Sequence, residues 1–390
     1  MSRIIEEKFS RSMNVHENKV TETPSNKWLD LIDQLGDQIA ANGIAHDKAD
    51  TFVADTYQLL KKHGFLTAMI PKALGGAGVS FTGMCAILVK IAQYCPSTAL
   101  ALSMHQHLLA ANIWKYKHEG TAEEFLKEVV DKNLVLVSTG ARDWLDSNGT
   151  MKKTDNGYLV SARKQFASQS AIGDLLVTSI PYNDPEEGWQ VLHFTVSMKS
   201  EGIQLLDDWH TLGMRATGSQ TVTLTNVFIP EDAITVKRAK GKFPMFWNVV
   251  LTVALPLIMA PYIGIAEKAM KITLEKSKAK QSRPLHSTLL LGEIYNSLTL
   301  AQVLHKDMIA IANDLDFQPE ERTGVEILAR KTLVANACKE TVNKAMETVG
   351  GQSFYRAIEL ERLFRDMQAV GFHTLPEKKQ QHFTGEFLLK

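Results

Sequence analysis

Near the C-terminus, the stretch RDMQAVGFHTLPEKKQQHFTG places an imidazole, His373, four residues before a carboxylate, Glu377. Neutral imidazole donates or accepts a hydrogen bond near pH 7, and a carboxylate in an apolar pocket can take a proton from carbon, so the stretch holds the materials of acid–base chemistry. Lys378 and Lys379 follow Glu377 directly and suggest a solvated segment around it. A second pair of imidazoles sits in SMHQH, as His105 and His107. They lie two residues apart on an expected helix, so only one of them can face a given site. Cys85, Cys95 and Cys338 are scattered and lack CxxC spacing, which argues against a zinc site or a disulfide framework and for buried, reduced thiols.

The elements that must position these groups are readable from period and composition. At 390 residues the chain is expected to form two or three domains. Its 43 Lys and Arg balance 43 Asp and Glu, so it has no basic surplus of the kind a nucleic-acid backbone requires. The first thirty residues hold no continuous apolar run, which points away from a secretory signal and towards a cytoplasmic protein. After an N-terminal extension, 1–26, residues 27–132 repeat apolar positions at helical spacing, broken at PKALGGAGVS and at CPSTA. Residues 133–240 switch to short β-branched runs separated by DNG, NDPEEG and IPEDA, the cadence of a small antiparallel sandwich or barrel. Residues 241–390 return to the helical period, with long segments near 246–280, 287–315, 321–349 and 355–370 that predict an antiparallel four-helix bundle. The apolar segment Phe243 to Met270 is long enough to cross a bilayer, but Pro256 and Pro261 interrupt it and no second span accompanies it. We expect a helix buried within the bundle and no membrane association.

Helices, then a β module, then a helical bundle is an uncommon order, and several separated motifs go with it. PKALGGAG (Pro71–Gly78), STALALSMHQH (Ser97–His107), LGMRATGSQTVTLTNVFIPED (Leu212–Asp232) and GGQSFYRAIELERLFRD (Gly350–Asp366) appear in the order and spacing of the acyl-CoA dehydrogenase superfamily. The chain resembles that superfamily over nearly its whole length. The resemblance implies an α+β multidomain fold: an all-helical N-terminal domain, a middle antiparallel β-barrel domain and a C-terminal four-helix bundle. It also implies a flavin, FAD or in some relatives FMN, held between the β domain and the bundle of a homotetramer, with a small-molecule substrate such as an acyl-CoA.

Carried over residue by residue, the resemblance puts Ser138 or Thr139 of LVLVSTG against the flavin's polar edge, with the register open by one. Phe166-Ala167-Ser168 fall on the family's Trp-x-Thr, the aromatic beside the ring and the hydroxyl bonded to it. Gly350 and Gly351 let backbone approach the cofactor, and Arg283 falls on an arginine that reaches the FAD pyrophosphate. Departures from the pattern concentrate where relatives carry their general base. One lineage places a Glu at the position of Thr374, another at the position of Ala254, and neither residue is a carboxylate.

Three readings follow. The first is a dehydrogenase acting on CH–CH bonds with Glu377 as a displaced base and an electron-transfer flavoprotein as acceptor. HTLPEKKQ also resembles the superfamily's two-component monooxygenases, which take reduced flavin from a partner reductase and use O2. There His373, with His105 or His107, would donate a hydrogen bond to a reacting oxygen or accept a substrate proton. The third reading is a non-catalytic flavin-binding relative.

Overall fold

The structure, a computed structural model, describes residues 24–140, 143, 146–280, 282 and 284–390. Its N-terminal part is helical: α1 (Pro24–Ala49), α2 (Ala54–Lys62), α3 (Phe81–Ala92), α4 (Pro96–Glu119) and α5 (Glu123–Lys132). The predicted breaks have local causes. Ser80 caps α3 by accepting the Gly83 N–H at 3.0 Å, and Pro96 opens α4, where its missing N–H removes no helical bond. Helices α3 and α4 are buried on nearly every side, and their apolar faces form one core with Phe65, Leu66 and Val135.

Among the described residues, the middle of the chain forms eight strands: β1 (Leu136–Ser138), β2 (Thr150–Thr154), β3 (Gly157–Ala167), β4 (Leu175–Asp184), β5 (Gly188–Ser197), β6 (Ile203–Leu205), β7 (Gln220–Pro230) and β8 (Ile234–Ala239). They build two four-stranded sheets, in the orders β1-β4-β5-β8 and β2-β3-β7-β6. The expected antiparallel barrel is therefore corrected on two counts. Among the described residues no closed barrel forms, since each sheet keeps its own edges, and β1 runs parallel to β4 with Leu136 opposite Leu175. Val160 and Val222 from one sheet meet Leu176 and Phe194 from the other in a shared core.

The C-terminal part is again helical, with three long helices, α6 (Phe246–Lys278), α7 (Leu285–Ala312) and α8 (Glu321–Val349), packed against one another. The segment expected as a fourth long helix is broken into short 3₁₀ turns around α9 (Leu360–Met367), and a helix not expected from the sequence, α10 (Glu377–Leu388), closes the chain. Helix α6 is long and apolar enough to span a membrane, and its apolar stretch is entirely buried among its neighbours. Its prolines do not interrupt it. At Gly264 an added Cβ would stand 2.3 Å from the Val89 carbonyl oxygen, so glycine is what lets α6 lie against α3.

Candidate active site

Where the two helical parts and the β module meet, they enclose a cavity of about 480 Å³. Helices α4 and α6 give it a mainly apolar wall that includes Met104, Leu251 and Ile258. The tail between α9 and α10 brings Phe372, His373 and Thr374 to it, and the β module contributes hydroxyls and aromatic rings.

The two hydroxyls of LVLVSTG have different surroundings. Val137 points into the core between the sheets, so Ser138, the last residue of β1, turns the other way. Ser138 and Thr139 both line the cavity, but the Thr139 hydroxyl donates to the buried Asp143 carboxylate. That carboxylate also accepts from Lys164 Nζ at 2.7 Å and from the Thr178 hydroxyl at 2.7 Å. The Ser138 hydroxyl makes no hydrogen bond to another described residue.

Phe166 lines the cavity with its ring edge-on to Trp209, 5.6 Å between centroids. Ala167 faces the inter-sheet core. Ser168 lies at the end of a chain of hydroxyls: Ser168 Oγ is 2.8 Å from Ser219 Oγ, which is 2.8 Å from Thr217 Oγ1, which donates to the Met214 carbonyl at 2.8 Å. A carbonyl can only accept, so Thr217 spends its proton there, Ser219 must donate to Thr217, and Ser168 must donate to Ser219. Ser168 is left able to accept a hydrogen bond from the cavity.

The two imidazoles of SMHQH separate as their spacing requires. His105 is turned away from the cavity: the Leu136 N–H donates to its Nδ1 at 3.0 Å, and its Nε2–H donates to the Leu66 carbonyl at 2.9 Å. Both nitrogens are used in joining α4 to β1 and to the loop before α3, so the catalytic role expected for His105 is corrected. His107 lines the cavity, with Nδ1 3.2 Å from the Ser103 carbonyl one turn back. Burial pushes both imidazoles down to about 4, which keeps them neutral at pH 7.

In the tail, His373 lines the cavity and its Nε2 lies 2.6 Å from the Tyr262 hydroxyl of α6. The buried Lys331 Nζ of α8 donates to the carbonyls of His373, at 2.9 Å, and Leu375, at 3.0 Å. Burial, and then the Lys331 charge, push His373 down to about 3. Glu377 is not part of the lining: it opens α10, its carboxylate accepts from Asn336 at 3.2 Å and from Gln381 at 3.0 Å, and the Asn336 contact is the first cause of its lowered pKa. Its expected role as a base is corrected on this placement. Ala254 and Thr374 do line the cavity, and among the described residues no Asp or Glu does. The charged side chain there, Arg365, is saturated by Asp47 at 2.8 and 3.1 Å, Glu361 at 2.7 Å and the Leu212 carbonyl at 3.0 Å.

Gly350 and Gly351 close α8 away from the cavity, with nothing within 4 Å of an added Cβ at either. Arg283 lies outside the described residues. Sequence reasoning passed over Tyr262, Lys331, Trp209, Thr217 and Ser219. Tyr262 gave a signal, since a phenol in an otherwise apolar helix needs a partner.

The fold and this site place the molecule among helix–sheet–helix proteins whose cavity lies between the β module and the C-terminal helices. Residues 33–133 match the acyl-CoA dehydrogenase N-terminal domain and residues 257–377 match the acyl-CoA dehydrogenase C-terminal domain; the chain belongs to the acyl-CoA dehydrogenase superfamily. It is 25% identical to the amino sugar nitrososynthase DnmZ of Streptomyces peucetius, over 90% of each chain. It is also 21% identical to a cyclohex-1-ene-1-carbonyl-CoA dehydrogenase of Geobacter metallireducens, over 93% of this chain and 97% of the relative. A crystal structure of KijD3 in complex with FMN and dTDP-3-amino-2,3,6-trideoxy-4-keto-3-methyl-D-glucose superposes with a TM-score of 0.85, at 25% identity over 95% of each chain.

Proposed function

We propose that the chain is the oxygenase of a two-component flavin-dependent monooxygenase acting on a small, largely apolar molecule. One observation carries this reading. The two positions where dehydrogenases of the superfamily keep their base, Ala254 and Thr374, line the cavity without a carboxylate, and Glu377 is held outside it by Asn336 and Gln381. Abstraction of a proton α to a thioester needs such a base within hydrogen-bond reach. Oxygen transfer instead needs neutral groups that hydrogen-bond a reacting oxygen in a site shielded from water, and His373 and His107 are of that kind.

The residues present fit a flavin. The cavity volume lies within the roughly 300–1,000 Å³ of small-molecule sites. Phe166 and Trp209 offer aromatic faces, Ser138 can donate to a ring carbonyl, and Ser168 can accept from a ring N–H. When bound and reduced, the flavin supplies the electrons that activate O2. We favour FMN over FAD, because KijD3 holds FMN and because Gly350 and Gly351, expected at the FAD site, lie outside the cavity. A partner flavin reductase would provide the reduced form. The saturated Arg365 leaves no cation among the described lining residues for a phosphate, so the parts of both flavin and substrate that enter the cavity are uncharged, and the FMN phosphate would lie beyond this lining. The nitrososynthase relative suggests nitrogen as one atom to be oxidised.

We also read the C-terminal helices as a four-helix bundle completed by the α9–α10 segment, the domain limits as 27–132, 133–240 and 241–390, and the assembly as a homotetramer. An exposed apolar stripe on α7, Leu285, Leu289, Leu300 and Val303, supports the last reading. The test of function is binding of oxidised and reduced FMN, followed by O2 uptake in the presence of an NAD(P)H-dependent flavin reductase and an aromatic amine. Tighter binding of reduced FMN and substrate-dependent product formation are expected. Absence of reduced-flavin binding would remove the proposal.

A further inference from the structure

We infer that His373 serves the cavity as a fixed hydrogen-bond donor through Nδ1, with the buried phenol of Tyr262 setting its tautomer. This rests on the cavity being the reaction site, as proposed above. It gives the imidazole one role where the residue type alone allows two.

The argument is a count of protons. Tyr262 is fully buried on α6, and its hydroxyl has one hydrogen-bond partner among the described residues, His373 Nε2 at 2.6 Å. If Nε2 carried the proton and donated to the phenol oxygen, the phenol's own proton would be left inside the protein with no acceptor. A buried donor stripped of water and unpaired is among the costlier defects a fold can carry. With the phenol donating to Nε2, both groups are satisfied. The proton of the neutral imidazole then sits on Nδ1, which has no partner among the described residues and belongs to a side chain that lines the cavity.

Protonating both nitrogens is opposed by the surroundings. An imidazolium could only donate from Nε2 to the phenol oxygen, which again leaves the phenol's proton without an acceptor, and it would stand beside the Lys331 ammonium. Lys331 also fixes where the ring stands: its Nζ ties the carbonyls of His373 and Leu375 to α8, so the backbone on both sides of Thr374 is held. Tyr262 and Lys331 are thus positioning residues, acting through His373, and His373 is the group that meets the ligand. A donor fixed in this way can stabilise negative charge developing on an oxygen of the bound reactants, and it has no lone pair towards them with which to take a proton.

The tautomer can be read without flavin. The full-length, flavin-free protein labelled with [15N]histidine should give, in a long-range 1H–15N spectrum at pH 7, a signal set with Nδ1 protonated and Nε2 bare that disappears in His373→Asn. Tyr262→Phe should convert that set to an averaged or Nε2-protonated pattern. An Nε2-protonated or doubly protonated His373 in the unaltered protein would overturn the inference. The amide of Asn places an N–H near the position of Nδ1, whereas that of Gln places one near Nε2. His373→Asn is therefore expected to keep turnover within about tenfold, with His373→Gln and His373→Ala falling by at least about a hundredfold. Loss in Asn equal to that in Ala would contradict the donor role. Failure of reduced FMN to bind would count against the proposed function alone and leave the spectroscopic result standing.

Discussion

Lys331 is a lysine with no carboxylate in contact among the described residues, buried beneath the tail and donating to two carbonyls. Burial pushes it down to about 8, so it remains mostly charged at pH 7. Lys331→Met keeps the stem and removes the donor. The variant should lose about 1–3 kcal/mol in urea unfolding, from two buried carbonyls left unpaired, and should show lower turnover because the His373 ring loses its seat. An unchanged unfolding midpoint would show that the carbonyls find another donor. At this scale much of the site was legible: Ser138, Phe166, Ser168 and His373 all line the cavity, found through motif order and the β period. What was not legible were their supports. Tyr262 and His373 are 111 residues apart and Lys331 lies 42 from the carbonyl it holds, distances over which neither helical nor strand period carries information. His105 failed for the opposite reason, since its polar nitrogens are consumed by backbone groups whose approach only the tertiary fold creates.

Between elements, one close fit is where the loop before β7 meets α9. The buried Asp366 carboxylate accepts the Met214 N–H at 2.5 Å, and a Cβ on Gly213 would fall 2.3 Å from the Arg365 backbone. The LGMR and LFRD motifs are thus two sides of one joint, which places Met214 and Arg365 on the cavity. Gly213→Ala should cost about 1–3 kcal/mol in chemical denaturation, because backbone rather than a movable side chain blocks the new methyl. A loss below about 0.5 kcal/mol would mean the loop moves away without strain. Element types and order were readable from the sequence, and the long helices lie close to their expected limits. Barrel closure was not, because strand order and the parallel β1–β4 pair depend on long-range pairing that alternation cannot specify. Helix α10 was missed although its start signal is present: Pro376 precedes it and Glu377 occupies its first turn. The two lysines beside Glu377 suggested solvent exposure, which an amphipathic helix also provides.

Across the whole molecule, buried neutral histidines set the response to acid. His105, His107 and His305 are each held down to about 4, burial being the first cause. Their folded values lie below the unfolded 6.5, so between about pH 4 and 6.5 the unfolded chain binds more protons. Stability is full above pH 6.5 and is lost as the pH falls, by up to about 2 kcal/mol per imidazole at pH 5. His193 and His373, both held down to about 3, act in the same sense, while Asp366, raised to about 6 mainly by burial, and Glu267, also raised by burial, work in the opposite direction over part of that window, two groups against five. The Tm should therefore drop markedly between pH 7.5 and pH 5, and a flat profile would contradict the neutral assignments. The α7 stripe gives a second test at this scale. Leu300→Glu with Val303→Glu should reduce the sedimentation coefficient below that of a tetramer while leaving the far-ultraviolet circular dichroism unchanged. The central claim, a flavin cavity built for oxygen chemistry and lacking a base for α-proton removal, is tested most directly by anaerobic titration of the FMN-loaded protein with a panel of acyl-CoAs. The account predicts that the oxidised flavin spectrum persists with every member; bleaching of the flavin by any acyl-CoA would contradict it.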